Sequence, residues 1–298
     1  MPLSTFLSAW TFEPSVVLGL ALVAAVYVAG LRELDRRGRF GRAVGWRHAP
    51  LFALGLVALA LALLSPIDAF AGRLLTLHMA QHLLLLAVAP PLLLLGKPIP
   101  VLLVGAPHGL VRWVARANRR TPWLHALSRA LVSPALTWPL YVGAFIAWHI
   151  PVFYQAALRN EGIHLIEHLC FLFTALLYWW VIIQPAPGRD RVHVGVRMLY
   201  IWTAAIPTDG LALLISSRDK LWYPFYAAQP RMWGLSPLDD QRLGGYVMWG
   251  PSAFIDAATL SVLFFFVLMR PDQHMVLDDA EEIARRAMAG ASNTANAG

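Results

Sequence analysis

LHMAQHLLLLAVAPPLLLL, residues 77–95, decides the fold. Apart from His78, Gln81 and His82 it is apolar throughout, with no Asp, Glu, Lys or Arg. Wound as a helix, a stretch of about 20 such residues spans the roughly 30 Å hydrocarbon core of a bilayer. Its two histidines stand four apart, so both imidazoles share one stripe of the helix, roughly 6 Å apart. HLIEH (164–168) repeats that spacing at the start of a second apolar run, GIHLIEHLCFLFTALLYWWVII (162–183), and WHIP (148–151) adds His149. Ionisable side chains inside a membrane are costly and usually functional, so the topology and the chemistry are read together.

Composition agrees with a membrane protein. The 298 residues are 58% hydrophobic and 14% charged, with mean hydropathy +0.57, whereas a soluble domain carries about 25% charged residues. Seven spans are expected, at 15–31, 50–66, 72–95, 134–150, 162–183, 197–216 and 246–269. The fold class is therefore all-α: a polytopic membrane domain over 1–277, followed by a cytoplasmic C-terminal tail over 278–298 that is partly disordered. The start, MPLSTFLSAWTFEPS, has no basic residue before the first apolar run and does not read as a cleavable signal peptide.

Basic residues set the orientation. Arg32, Arg36, Arg37, Arg39, Arg42 and Arg47 follow the first span, and Lys97, Arg112, Arg116, Arg119, Arg120 and Arg129 follow the third. Arg189, Arg191 and Arg197 follow the fifth, and Arg270, Arg285 and Arg286 the last. Only Arg73, Arg159, Arg218, Lys220, Arg231 and Arg242 fall in the alternate connections. The positive-inside rule then puts the N-terminus outside and the C-terminus inside. This distribution accounts for the net charge of +7 without nucleic acid as a partner. Between spans three and four, Pro107–Leu131 mixes arginines with apolar residues and reads as one amphipathic helix on the cytoplasmic surface, arginines toward lipid headgroups. The outer connection 217–245 carries Trp222, Tyr223, Tyr226 and Trp233, aromatics suited to the membrane interface, in a loop long enough to be functional.

In this orientation His78, His82, His149, His164 and His168 all lie in the outer leaflet at one depth, while His48, His108, His125, His193 and His274 fall in cytoplasmic segments. A lone intramembrane imidazole can be explained by a hydrogen bond across helices. Five at one depth point to a metal or haem. Cys170 is the only cysteine, so there is no CxxC site; it lies about 200° around the helix from His168 and reads as a small buried hydrophobe. An imidazole set without thiolates, with Met79 and Met248 at similar depth, points to copper as Cu(I), although Met79 is about 100° from His78 and is also suited to plain packing. Glu167 admits two roles: a carboxylate that orients an imidazole N–H, or the general base of an H-x-x-E-H zinc hydrolase. A b-type haem held by two of His78, His82, His164 and His168 is a third possibility. Asp209 and Asp256, inside the sixth and seventh spans, are candidates for a pathway, for a partner contact or for hydrogen bonds between helices.

LHMAQHLLLLAVAPPLLLLGKPIP (77–100), WHIPVFYQAAL (148–158), HLIEHLCFLFTALLYWWVI (164–182) and LDDQRLGGYVMW (238–249) together resemble the CtaG family of polytopic cytochrome c oxidase assembly factors. The unrelated single-span copper chaperone that shares the name is not meant. The resemblance extends from about Pro66 to Met269. It implies a multi-pass protein of the bacterial plasma membrane that is needed to build an active haem–copper oxidase, and suggests copper delivery in place of catalysis. The matching positions are His78, His82, His149, His164, Glu167 and His168, with Asp240, Gln241, Gly244 and Gly245 in the last outer segment. The implied partners are a cytochrome c oxidase subunit and a periplasmic copper donor, besides membrane lipid.

Overall fold

The computed structural model describes residues 2–45, 47–185 and 192–269, and every regular element among them is helical. In chain order the main helices are α1 (Pro14–Arg36), α2 (His48–Leu64), α3 (Pro66–Ala71), α4 (Leu75–Leu95), α5 (Pro98–Gly105) and α6 (His108–Arg120). They continue with α7 (Pro122–Ala130), α8 (Pro134–His149), α9 (Pro151–Arg159), α10 (Glu161–Ile183), α11 (Val194–Ser217) and α12 (Pro237–Leu268). Among the described residues six helices are long and apolar enough to cross a membrane: α1, α2 continued by α3, α4, α10, α11 and α12. The expected span at 134–150 falls on α8, which has 16 residues. Two bent pairs, α5–α6 at 120° and α7–α8 at 65°, bring the possible count to eight. The protein is a multi-pass membrane protein.

Proline punctuates these helices. It opens α1, α3, α5, α7, α8, α9 and α12, where its missing N–H costs nothing and its fixed φ suits the first turn. The residue before it is pushed out of the helical region, and this corrects one expectation. Thr121, ahead of Pro122, has an extended backbone, so the single amphipathic helix expected over 107–131 is two helices, α6 and α7. Leu110, Trp113 and Val114 of α6 are exposed, with Arg112, Arg116 and Arg119 on the other side of the same helix.

The pair Pro90–Pro91 sits in the middle of α4. Pro90 has no N–H to offer the Leu86 carbonyl four residues earlier, and an unpaired carbonyl in hydrocarbon is costly. Two features absorb the defect. The chain widens into a π turn over Leu84–Val88, as helices do around such interruptions. The indole N–H of Trp179 on α10 then donates to the Leu86 carbonyl at 2.9 Å. A buried bond thus ties together the two helices that carry the paired histidines. On its other side α4 packs against α2.

Contacts divide the chain into Met1–Asp256, which holds every site residue discussed below, and a second unit from Ala257. Of the second, the described part ends at residue 269 and includes the end of α12, with Phe264, Phe265 and Phe266 exposed. Arg189, Arg191, Arg270, His274, Arg285, Arg286 and the tail expected from Asp278 lie outside the described residues.

Trp179→Phe keeps the ring but removes the donor. It is expected to lower the unfolding free energy in detergent by roughly 1 kcal/mol, the size of one interhelical hydrogen bond in a membrane protein. Unchanged stability would show that the Leu86 carbonyl does not depend on this indole.

Candidate metal centre

One turn of α4 and one turn of α10 face each other. The His78 and His82 rings are 4.3 Å apart on α4, and those of His164 and His168 are 4.0 Å apart on α10. Across the interface His78 lies 5.2 Å from His164 and 6.5 Å from His168, and His82 lies 6.0 Å from His168. His149 ends α8 because Ile150 turns extended ahead of Pro151; its ring is 5.7 Å from His82. The structure therefore gathers all five sequence-selected imidazoles at one end of the bundle.

Glu167 stands between the two α4 histidines. Its Oε2 is 3.7 Å from His78 Nε2 and its Oε1 is 3.7 Å from His82 Nε2, with the side chain fully buried. A carboxylate that merely orients an imidazole accepts a hydrogen bond from the ring nitrogen facing away from the metal. The Glu167 carboxylate makes no hydrogen bond. Its oxygens face the nitrogens that His78 and His82 turn toward the cluster, and one donor atom from each of His78, His82, Glu167 and His168 lies within 4.8 Å of the others.

Hydrogen bonds fix which nitrogens are available. The Tyr226 hydroxyl donates its one proton to the Ala71 carbonyl at 3.1 Å and lies 3.2 Å from His78 Nδ1 and 3.0 Å from the Tyr154 hydroxyl. With that proton committed, Tyr226 must accept from both neighbours. His78 therefore carries its hydrogen on Nδ1 and presents a lone pair at Nε2. His149 Nδ1 donates to the Phe145 carbonyl at 2.7 Å, which likewise frees Nε2. The Nε2 atoms of His78, His82, His149, His164 and His168, His82 Nδ1 and both Glu167 oxygens are all buried without a hydrogen-bond partner. Each such group costs about 1–3 kcal/mol, and native proteins leave few of them unexplained. Those of His78, His82, Glu167 and His168 lie close enough together to hold a cation. The residues present fit a metal.

The surrounding contacts hold this geometry. Asp240 Oδ2 accepts from Leu75 N at 2.7 Å, and Oδ1 accepts from Thr76 N at 3.0 Å and Thr76 Oγ1 at 2.7 Å. It thus caps the start of α4 from α12, where Leu74 offers no side-chain cap. Gln241 donates to the Ile215 and Lys220 carbonyls and accepts from Trp222 N, clasping the loop between α11 and α12. A Cβ on Gly244 would lie 3.0 Å from Leu75 Cγ, and one on Gly245 2.6 Å from Ser216 Cβ, so Gly244 permits the close approach of α12 to α4 and Gly245 its close crossing with α11. Gln81, between the histidines on α4, donates to the Asp68 carboxylate and the Ala62 carbonyl. Met79 and Met248 are buried and line a neighbouring cavity together with Asp209 and Asp256. Cys170 is half-buried and makes no disulfide.

The sequence reading missed three tyrosines. Tyr223 and Tyr226 were expected at the membrane interface, yet both are buried, while Trp233 is 46% exposed. Tyr223 donates to the His149 carbonyl at 2.9 Å, and its ring packs 4.1 Å from that of Tyr154. Together with Tyr226 they cover the histidines. The available signal was chemical: a tyrosine hydroxyl in apolar surroundings needs a partner, and the nearest candidates in an apolar bundle are histidines and free carbonyls.

The family model described as cytochrome c oxidase caa3 assembly factor matches residues 25–270. The chain belongs to this family. It is 28% identical over 255 residues to uncharacterized proteins of Mycobacterium tuberculosis and Mycobacterium bovis, and 28% identical over 261 residues to one of Mycobacterium leprae. Each alignment covers 82% of this chain and 37% of the relative, so the chain spans little more than a third of the length of the curated relatives it matches. No solved structure matches it.

Proposed function

We propose that this protein binds copper, as Cu(I), at His78, His82, His168 and Glu167, and supports its delivery to a haem–copper cytochrome c oxidase in the bacterial plasma membrane. His164, only half-buried and with its ring 4.0 Å from that of His168, is the entrance ligand. The observation that carries this reading is the set of unpartnered imidazole and carboxylate donors converging between α4 and α10. Imidazole suits copper, and copper is the metal an oxidase of this type must acquire. The protein acts as an assembly factor that holds and passes on its cargo, and not as an enzyme. Its partners are an oxidase subunit and a periplasmic copper donor. Glu167 sits where a ligand would, between two imidazoles, and not beside an open coordination position as the general base of a hydrolase must. A haem fits less well than an ion, because Glu167 and the crowded rings fill the space a macrocycle needs.

The proposed orientation places the N-terminus and the histidine end outside and the C-terminus inside, following the basic residues. On the cytoplasmic side α6 and α7 lie on lipid, arginines toward the headgroups. Reporter fusions after Pro14 and after Met269 check this. An external first fusion and an internal second are expected, and the reverse would put the histidines on the side away from a periplasmic donor.

Purified full-length protein is expected to hold about one copper per chain at this centre. His78→Ala, His82→Ala, His168→Ala and Glu167→Gln should each lower copper affinity at least tenfold while the protein still inserts. Tyr226→Phe, which removes the partner of His78 Nδ1, should lower it about 10–100-fold. Metal analysis and chelator competition give the readout. Full copper retention in all four ligand variants would place the site elsewhere. Loss of oxidase activity in Glu167→Gln with copper fully retained would favour a hydrolytic base.

A further inference from the structure

Two acids stand inside the membrane without a counter-charge among the described residues. Asp209 of α11 and Asp256 of α12 line a cavity beside the histidines, on helices long and apolar enough to cross a bilayer. The two helices meet at Ser216 and Gly245. From that contact the acids lie about 10 Å along α11 and about 16 Å along α12, one helical turn apart in depth. Charged side chains at such positions are costly and are normally paired. Among the described residues neither carboxylate takes a hydrogen bond or an ion pair, and no Lys or Arg lines the cavity. Two carboxylates facing one space repel each other, and a positive charge between them relieves both.

A second observation comes from the wall of the cavity. Tyr178 lines it and is only 2% exposed, yet its hydroxyl has no hydrogen-bond partner among the described residues. A buried tyrosine hydroxyl normally finds one. The ring of Tyr141 stacks on that of Tyr178 at 4.1 Å, and both hydroxyls lie within electrostatic reach of Asp209 and Asp256. Carboxylates, an unpartnered hydroxyl and aromatic faces are the surroundings that suit an ammonium or guanidinium group. Access is from the side of the bundle. Both acids are half-buried, and Ile206, Leu213 and Phe254, on the turns that carry them, are exposed.

We infer that this face of α11 and α12 docks a transmembrane helix of a partner protein, which inserts one lysine or arginine between Asp209 and Asp256. Such a residue carries its charge on an apolar stem and arrives through the hydrocarbon on its own helix. Its several N–H donors can reach both carboxylates and the Tyr178 hydroxyl, with the charge beside the rings of Tyr141 and Tyr178. Ile206, Leu213 and Phe254 supply the apolar contact around it. A membrane helix without a basic residue leaves the acids unmatched, so the pair selects its partner by charge. The docking rests on the membrane spans and does not depend on copper binding at His78, His82, His168 and Glu167.

The test uses the full-length protein in phosphatidylcholine vesicles and a synthetic leucine–alanine transmembrane peptide with one central lysine. Its control carries leucine in place of that lysine, and energy transfer between labelled protein and labelled peptide reads association. The lysine peptide is expected to bind the wild type roughly tenfold more tightly than the control. The Asp209→Asn, Asp256→Asn double variant should bind both peptides alike. Each single Asn substitution, isosteric with Asp, should lose part of the preference and keeps the test valid if the double variant folds poorly. Copper content is measured separately and should stay at the wild-type level in the aspartate variants, so failure of the docking and failure of the copper reading are told apart. Equal binding of the two peptides to the wild type overturns the proposal, as does an undiminished preference in the aspartate variants. Binding of methylammonium without any preference for the lysine peptide would make the cavity a small-cation site and also overturn it.

Discussion

Inside hydrocarbon no water compensates an unmade hydrogen bond, so each polar group must find its partner within the protein. This constraint explains most of the buried polar contacts in the bundle. The carbonyl freed by Pro90 takes the indole of Trp179. The open start of α4 is capped by Asp240, and Gln81 is spent on Asp68 and Ala62. Tyr27 donates to the Gly96 carbonyl at 2.7 Å. Against that background the unpartnered nitrogens and oxygens between α4 and α10 stand out. They are concentrated in one place, and that place is where the paired histidines meet.

The satisfied contacts and the unsatisfied ones form a single design. Trp179 fixes α4 to α10 below the histidines, and Asp240 fixes the first turn of α4 above them. Tyr226 and the Phe145 carbonyl take the Nδ1 atoms of His78 and His149, so the free nitrogens are set before anything binds. Imidazoles held in this way by hydrogen-bonded neighbours would lose little freedom on taking up the proposed metal. The same rigidity favours a single ion over a larger group.

Much of this was legible in the chain. The i, i+4 histidine pairs and the break at Pro151 placed five imidazoles at one level, because helical periodicity and proline geometry act locally. What local rules cannot give is the partner across an interface. Glu167 reads as a supporting carboxylate or a base from its spacing alone; only the approach of α4 shows its oxygens facing His78 and His82. Asp240 and Gln241 were singled out by the family resemblance alone, and their work, capping α4 and clasping the outer loop, depends on contacts 165 and 26 residues away in sequence. Tyr223 and Tyr226 looked like interface aromatics because composition cannot say which way a loop folds. The extra break at Thr121 was available from Pro122 and was overlooked in favour of the longer amphipathic pattern.

The central claim is that α4 and α10 together form a copper site of imidazole and carboxylate donors. X-ray absorption at the copper edge of the purified, Cu(I)-loaded protein tests it most directly. The account predicts a coordination sphere of nitrogen and oxygen with imidazole scattering and no sulfur, which collapses in the His78→Ala, His168→Ala variant. A sulfur-dominated sphere, or an unchanged spectrum in that variant, would contradict it.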